Sequence, residues 1–130
     1  MTQIKLAVVG AHLMGMPLHG QLTSRNATFI GKTQTAGSYR LYAMTGTIPA
    51  KPALIHDALQ GQSIEVEIYG LSVEAFGSFV AEVPPPLAIG TVDLADGTQV
   101  KGFVAEPRAL MGAEDITHFG GWRGFIASKH

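Results

Sequence analysis

Short apolar runs, separated by glycine- and proline-rich segments, make up most of this chain. Residues 4–9 form an apolar run that ends at Gly10, which predicts a buried first strand. Residues 27–33 and 38–44 carry alternating, β-branched and aromatic side chains and predict two further strands. The glycine-punctuated segment between the first two strands predicts a loop, followed by a short helical turn over residues 18–24.

The clearest strand pattern lies at residues 62–70. Their isoleucine and valine side chains share one face, whereas Glu65 and Glu67 share the other. This period of two predicts a half-buried strand whose glutamates face water. Ser72 is a favourable N-cap residue and predicts a helix over residues 73–81, which a run of three prolines then ends.

A hairpin is predicted near the end of the apolar pattern. Asp96 and Gly97 separate the β-rich runs of residues 89–94 and 99–104, which favours a tight turn between two antiparallel strands. Residues 46–52 contain two prolines and predict a loop. With about six or seven strands and few helices, we expect an α+β fold, a small mixed and mostly antiparallel β-barrel.

Composition narrows the classes of partner and site. The 130 residues have the size of one domain, and we expect it to span residues 1–130. Nine Lys and Arg against ten Asp and Glu give a formal net charge of −1, which argues against nucleic acid and anionic membranes as partners. The absence of cysteine excludes disulfides, thiolate metal sites and a cysteine nucleophile. The five histidines lack metal-ligand spacing, so we expect no metal and no other cofactor.

The expected location follows from the N-terminal segment. It lacks the apolar core and small-residue cleavage site of a signal peptide. No apolar stretch approaches the roughly 20 residues that a membrane-spanning helix needs. We therefore expect a cytoplasmic protein.

His12 is the most informative candidate for chemistry. It follows the first predicted strand, in a loop where Gly10 and Gly15 allow the backbone to approach a small ligand closely. Imidazole has an ordinary pKa near neutrality and is suited to proton transfer. The alternative is a histidine that only hydrogen-bonds its own loop.

Four further residues have both a functional and a structural interpretation. Glu82 ends the predicted helix at the edge of an apolar region, where it is either a general base with a raised pKa or a solvated helix-end carboxylate. Lys101 and Arg40 lie on predicted strands and either hold an anion in a cavity or face water. Trp122 follows a double glycine and either closes over a pocket or anchors the core.

Six ordered blocks of the chain are similar to one known family, the C-terminal domain of allophanate hydrolase, over nearly the whole length. The blocks are VVGAHL at 8–13, QLTSR at 21–25, YRLYA at 39–43, PLAIGTV at 86–92, VKGF at 100–103 and DITHFGGWR at 115–123. The resemblance implies a γ-glutamylcyclotransferase-like fold with a cavity at one end.

The resemblance also implies site residues. The loop after the first strand would bind substrate through its backbone, which assigns Gly10, Ala11 and Leu13 to substrate binding beside His12. Glu82 lies near the position of the acid/base glutamate of the cyclotransferases. In this family a histidine in the strand-one loop is critical for decarboxylation, and His12 matches it.

The implied activity is the second half of allophanate breakdown. A separate amidase releases ammonia from allophanate, and the C-terminal domain decarboxylates the N-carboxycarbamate product. We expect this chain to perform that step without a cofactor, with His12 as proton donor and Arg40 or Lys101 binding the small carboxylate or carbamate. An association with a separate amidase or with further copies of the chain stays open. The alternatives are a non-catalytic ligand-binding or assembly module for an amidase and a γ-glutamylcyclotransferase-like enzyme.

Overall fold

A computed structural model describes residues 2–129 and contains eight strands and three α-helices in that part of the chain. The strands and helices are β1 Ile4–Val8, α1 Gly20–Thr23, β2 Thr28–Gln34, β3 Tyr39–Ala43, β4 Pro52–His56, β5 Glu65–Leu71, α2 Val73–Ala81, β6 Leu87–Asp93, β7 Gln99–Ala105, β8 Glu114–Asp115 and α3 Trp122–Ala127. Two 3₁₀ turns flank β8, at Pro107–Leu110 and Thr117–Phe119. Among residues 2–129, no helix is long and apolar enough to cross a membrane.

The strands form two sheets. The larger has the order β2-β5-β1-β7-β6, in which β1 and β7 run parallel and all other neighbours run antiparallel. The smaller has the order β4-β3-β8 and is antiparallel throughout. The prediction of a mixed, mostly antiparallel α+β fold with few helices is confirmed.

The larger sheet does not close into a continuous barrel. The edge strands of the larger sheet, β2 and β6, are not joined by a ladder of paired residues. They meet at an isolated bridge between Thr35 and Leu94, where the Ala36 N–H donates to the Asp93 carbonyl at 2.9 Å. Because closure requires continuous pairing between the edges, the larger sheet is an open sheet whose two edges touch at one end.

The helix and the hairpin follow their local signals. Helix α2 has the bounds expected for it, and the Ser72 Oγ caps it by accepting from the Ala75 N–H at 3.1 Å. Strands β6 and β7 pair across the Asp96-Gly97 turn, where Gly97 has a φ of 88°. In both cases residues close in sequence decide the structure.

Two expectations about strands are wrong. Strand β4 begins at Pro52, inside the segment predicted as a loop, and a proline as the first residue of a strand loses no ladder hydrogen bond. Strand β5 is buried on both faces, so Glu67 is 3% exposed rather than turned to water. The second face of β5 is covered by the loop after β1 and by the C-terminal segment, which local alternation cannot reveal.

Candidate functional site

The loop after β1 folds tightly against β4. The Leu13 N–H donates to the Gly10 carbonyl at 3.0 Å, and the Leu18 N–H donates to the Ala11 carbonyl at 2.8 Å. A Cβ at Gly10 would overlap the Cδ and Cγ atoms of Pro52, so only glycine fits there. The close approach that Gly10 allows is therefore between the loop after β1 and Pro52, the first residue of β4.

His12 is held in an aromatic and largely dry setting. The residue is 7% exposed, its ring stacks on Phe103 at a centroid distance of 5.0 Å, and the Phe79 ring meets it edge-on at 5.1 Å. The His12 Nε2–H donates to Gln21 Oε1 at 2.8 Å, which leaves Nδ1 as the unprotonated nitrogen of the neutral ring. Helix α1 thus orients the imidazole and fixes its tautomer.

Burial lowers the pKa of His12 below its ordinary value of 6.5. Desolvation disfavours the charged ring most strongly, the hydrogen bond with Gln21 opposes this, and the nearby charges of Lys51 and His19 lower the pKa further. The imidazole is therefore neutral at pH 7 when no anion is bound.

A cavity of about 230 Å³ opens beside the His12 ring. Phe103, Leu87 and Pro84 give it apolar walls, and its polar groups come from His12, Gln21, Lys51 and Glu82. A narrow extension of about 10 Å³ continues along the backbone of residues 9–12. The main cavity, at about 230 Å³, is smaller than the pockets that bind drug-sized ligands, and its volume suits a small molecule.

Ala11 and His12 adjoin this extension. Within residues 2–129, the N–H groups of Ala11 and His12 have no hydrogen-bond acceptor. Successive backbone amides of this kind can bind anions. The loop thus brings Gly10, Ala11 and His12 to the cavity, whereas the Leu13 side chain is buried in the core.

Lys51 supplies the cation of the cavity. It lines both the main volume and the extension, and its charge acts on the His12 ring. Its amino group forms no ion pair with a carboxylate of residues 2–129. A lysine without a counter-ion beside an apolar wall favours the binding of a small anion.

Glu82 lies at the rim of the cavity. Its side chain is 53% exposed and forms an ion pair with Arg25, whose Nε also donates to Ser78 Oγ at 3.0 Å. The structure brings Glu82 and His12 to one cavity, as predicted. The desolvation invoked for a general base is not found at Glu82, because the carboxylate reaches both solvent and a cation.

The other two predicted cations lie elsewhere. Arg40 pairs with Asp115 across the smaller sheet, where β3 and β8 are neighbours. The exposed Lys101 Nζ donates to Thr91 Oγ1 at 3.3 Å and lines a shallow surface depression beside Lys5. Neither residue lines the His12 cavity, because each side chain contacts its cross-strand neighbour instead.

Sequence reasoning missed Gln21, Arg25 and Lys51. Gln21 and Arg25 carried a weak signal, since they lie four residues apart around the predicted helical turn. Lys51 carried none, because a lysine between prolines predicts only a loop. Trp122 is a core anchor rather than a cover for the cavity, since it is buried and packs on Phe125 at 5.3 Å. Among the described residues no group of His, Asp and Glu side chains is placed to hold a metal ion.

Comparison with known proteins identifies the same architecture. Urea amidolyase of Saccharomyces cerevisiae is 45% identical over 130 residues, which is 96% of this chain and 7% of that protein. The structure of allophanate hydrolase from Kluyveromyces lactis superposes with a TM-score of 0.96 at 42% identity, covering 100% of this chain and 22% of that one. The chain thus spans only a small part of these relatives.

Two further structures place the fold. A uropathogenic E. coli-specific protein matches with a TM-score of 0.90 at 32% identity, and the match covers 100% of both chains. A γ-glutamyl cyclotransferase matches with a TM-score of 0.62 at 9% identity, over 88% of this chain and 70% of that one, which confirms the predicted cyclotransferase-like fold. The profile of the allophanate hydrolase C-terminal domain matches residues 4–127. The chain belongs to the allophanate hydrolase C-terminal domain family.

Proposed function

We propose that this chain decarboxylates an N-carboxycarbamate-like dianion made by an amidase. The observation that carries the proposal is the juxtaposition in one small cavity of a buried neutral imidazole, His12, with Lys51, a cation that has no carboxylate partner among residues 2–129. Relatives named urea amidolyase and allophanate hydrolase support a place in the nitrogen metabolism of urea and allophanate.

The reaction needs a proton and a place for negative charge. N-carboxycarbamate carries two carboxylates on one nitrogen. When one C–N bond breaks, CO2 leaves, the bonding electron pair stays on nitrogen, and nitrogen takes up one proton to give carbamate. One proton is consumed for each CO2 released, and no oxidant or reductant takes part. General acid catalysis at the nitrogen is therefore the main chemical requirement.

His12 meets this requirement once the dianion is bound. In the empty cavity burial lowers its pKa, but a carboxylate within a few ångströms raises the pKa again, because opposite charge favours imidazolium. Substrate binding thus draws a proton onto Nδ1, close to the nitrogen that receives it. Lys51 and the N–H groups of Ala11 and His12 would hold the retained carboxylate.

The aromatic wall assists the loss of CO2. Phe103 stacks on His12 and forms, with Leu87 and Pro84, the apolar side of the cavity. An apolar wall accommodates neutral CO2 better than a charged carboxylate. It therefore favours the conversion of the carboxylate beside it into CO2. Glu82 lies at the rim, where Arg25 balances its charge, so the carboxylate does not keep the dianion out.

The amidase partner and the cytoplasmic location expected from the sequence are part of the same proposal. An amidase acting on allophanate would supply the substrate, and relatives in which this domain is a small share of a larger protein support such an association. An exchange of substrate between the two would not require a permanent complex.

The test measures CO2 release when an amidase generates N-carboxycarbamate in the presence of this chain. We expect His12→Asn to lower the rate above the spontaneous reaction by about 10²–10⁴-fold, the usual contribution of a positioned acid or base. His118→Asn is the matched control, because His118 is exposed, stacks against its neighbour Phe119 and does not line the His12 cavity. Binding without acceleration would replace the proposal by a ligand-binding or assembly module.

A further inference from the structure

A polar cluster formed by Glu67, Tyr69 and Arg123 is hydrogen-bonded to the loop that carries His12. The Met14 N–H donates to Glu67 Oε1 at 2.9 Å, and the Tyr69 hydroxyl donates to the same oxygen at 3.0 Å. The Arg123 Nη2 donates to Glu67 Oε2 and to the Met14 carbonyl, both at 2.7 Å. One ion pair therefore binds both backbone polar groups of Met14.

The C-terminal segment delivers Arg123 to this position. The Glu65 N–H donates to the Gly120 carbonyl at 2.9 Å, and a Cβ at Gly121 would lie 3.0 Å from the Glu65 Cβ. Trp122 is buried in the core and fixes the first turn of α3. Arg123 thus reaches from α3, across β5, to the loop between β1 and α1.

Stability alone does not explain a carboxylate in this place. Glu67 is almost fully buried on a central strand, and a buried ion pair commonly contributes no more stability than apolar side chains of similar volume. Unlike an apolar contact, the ion pair is directional. Its carboxylate accepts from the Met14 N–H, and its guanidinium donates to the Met14 carbonyl. Gly15, with a φ of 85°, then turns the chain immediately after Met14.

We propose that Glu67 and Arg123 are positioning residues for the His12 site and act through Met14. Met14 lies two residues beyond His12, so the ion pair fixes one end of the short loop that presents the imidazole and the Ala11 N–H to the cavity. Their effect on turnover rests on the proposed function. Their effect on the loop does not, and it is measured without substrate.

The experiment separates positioning from stability with a single and a double variant. Arg123→Met leaves the Glu67 carboxylate buried and unpaired, so we expect lower stability together with a mobile loop. Glu67→Leu combined with Arg123→Met removes both charges, so we expect stability to return toward that of the parent chain. Arg108→Met is the matched control, since Arg108 pairs with Glu106 at the surface.

Amide exchange reads the loop directly. In the double variant we expect the Met14 N–H to exchange about 10- to 100-fold faster, the effect of losing a hydrogen bond to a charged group, while the Leu71 N–H keeps its protection. We also expect a changed His12 pKa by NMR and a CO2-release rate that stays at least about tenfold low. Recovery of Met14 protection and of the parent rate would overturn the inference.

A further variant covers the case in which the double variant does not fold. Arg123→Lys keeps the charge beside Glu67, but the lysine side chain ends one bond short of Nη2, the atom that makes both contacts, so its ammonium does not span Glu67 and the Met14 carbonyl in the same way. Faster Met14 exchange at unchanged Leu71 exchange supports the inference, and unchanged Met14 exchange overturns it. If the parent chain shows no decarboxylation, the proposed function fails, while amide exchange and the His12 pKa still decide this inference.

Discussion

At the scale of single residues, charge placement decides what the cavity can bind. The two cations predicted for the site, both on strands, contact neighbouring side chains instead: Lys101 contacts Thr91, and Arg40 pairs with Asp115. Lys51 lies in the loop before β4 and faces the cavity without a carboxylate partner among the described residues. The anion site therefore depends on a cation from an irregular segment.

This placement predicts different effects for two lysine substitutions. Lys51→Met should weaken the binding of malonate, a stable dianion of similar size, by about 1.5–3 kcal/mol, typical of a lost charge-assisted hydrogen bond. Lys101→Met should leave the affinity unchanged, because its amino group lies in another depression. Calorimetric titration of the two variants measures both affinities. Equal losses, or a loss only in Lys101→Met, would contradict the assignment of Lys51.

At the scale of elements, the loop after β1 and the helix α2 form two sides of the site. The loop depends on a close approach between Gly10 and Pro52, whereas α2 presents Phe79 to the His12 ring and ends at the cavity rim. Both contain a glycine, but the two glycines have opposite roles. Gly10 allows backbone contact between β1 and β4, and Gly77 lies exposed within α2 with no atom near its missing side chain.

Alanine substitutions distinguish these two roles. Gly77→Ala should raise the free energy of unfolding by about 0.5–1 kcal/mol, because alanine is the better helix former and its methyl group meets open space. Gly10→Ala should lower it, since the new methyl group overlaps Pro52 and displaces the loop. Urea unfolding gives both values. A stabilising Gly10→Ala would show that the loop relaxes freely away from β4.

At the scale of the whole molecule, the buried titratable groups link stability to pH. The His12 pKa is lowered by burial, so between its folded value and 6.5 the unfolded chain binds more protons. Burial would raise the pKa of Glu67, but hydrogen bonds from Arg123, the Met14 N–H and Tyr69 outweigh it and hold the pKa below its ordinary 4.5. Burial, followed by the hydrogen bond to the Glu67 carboxylate and its negative charge, raises the pKa of Tyr69 to about 12, although the charge of Arg123 opposes this.

Acid should therefore destabilise the fold in two stages. The His12 contribution is complete above pH 6.5 and is lost as pH falls toward the folded pKa, and the Glu67 contribution is present above pH 4.5 and is lost below it. His12→Asn should flatten the upper stage and leave the lower one. Urea unfolding at pH values from 8 down to about 2 measures both stages. An upper stage of equal slope in His12→Asn would assign it to another group.

Local sequence patterns were sufficient to predict several elements, and ordered motifs were sufficient to predict the family. The apolar run before Gly10, the Ser72 cap and the Asp96-Gly97 turn each act over a few neighbouring residues, so β1, α2 and the β6–β7 hairpin could be predicted. The ordered blocks were enough to indicate the fold and to select His12 and Glu82, which the structure brings to one cavity.

Only the tertiary structure decided the electrostatics of the site. Glu67 alternates like a solvent-facing residue, but the C-terminal segment covers that face of β5 and supplies Arg123 as its partner. Lys51 reaches His12 because β4 packs beside the loop after β1, a contact between residues about 40 positions apart in sequence whose formation is set by packing and loop closure rather than by local preference. A side chain's charge is written in the sequence, but its counter-ion and its exposure depend on which distant segments the fold brings around it.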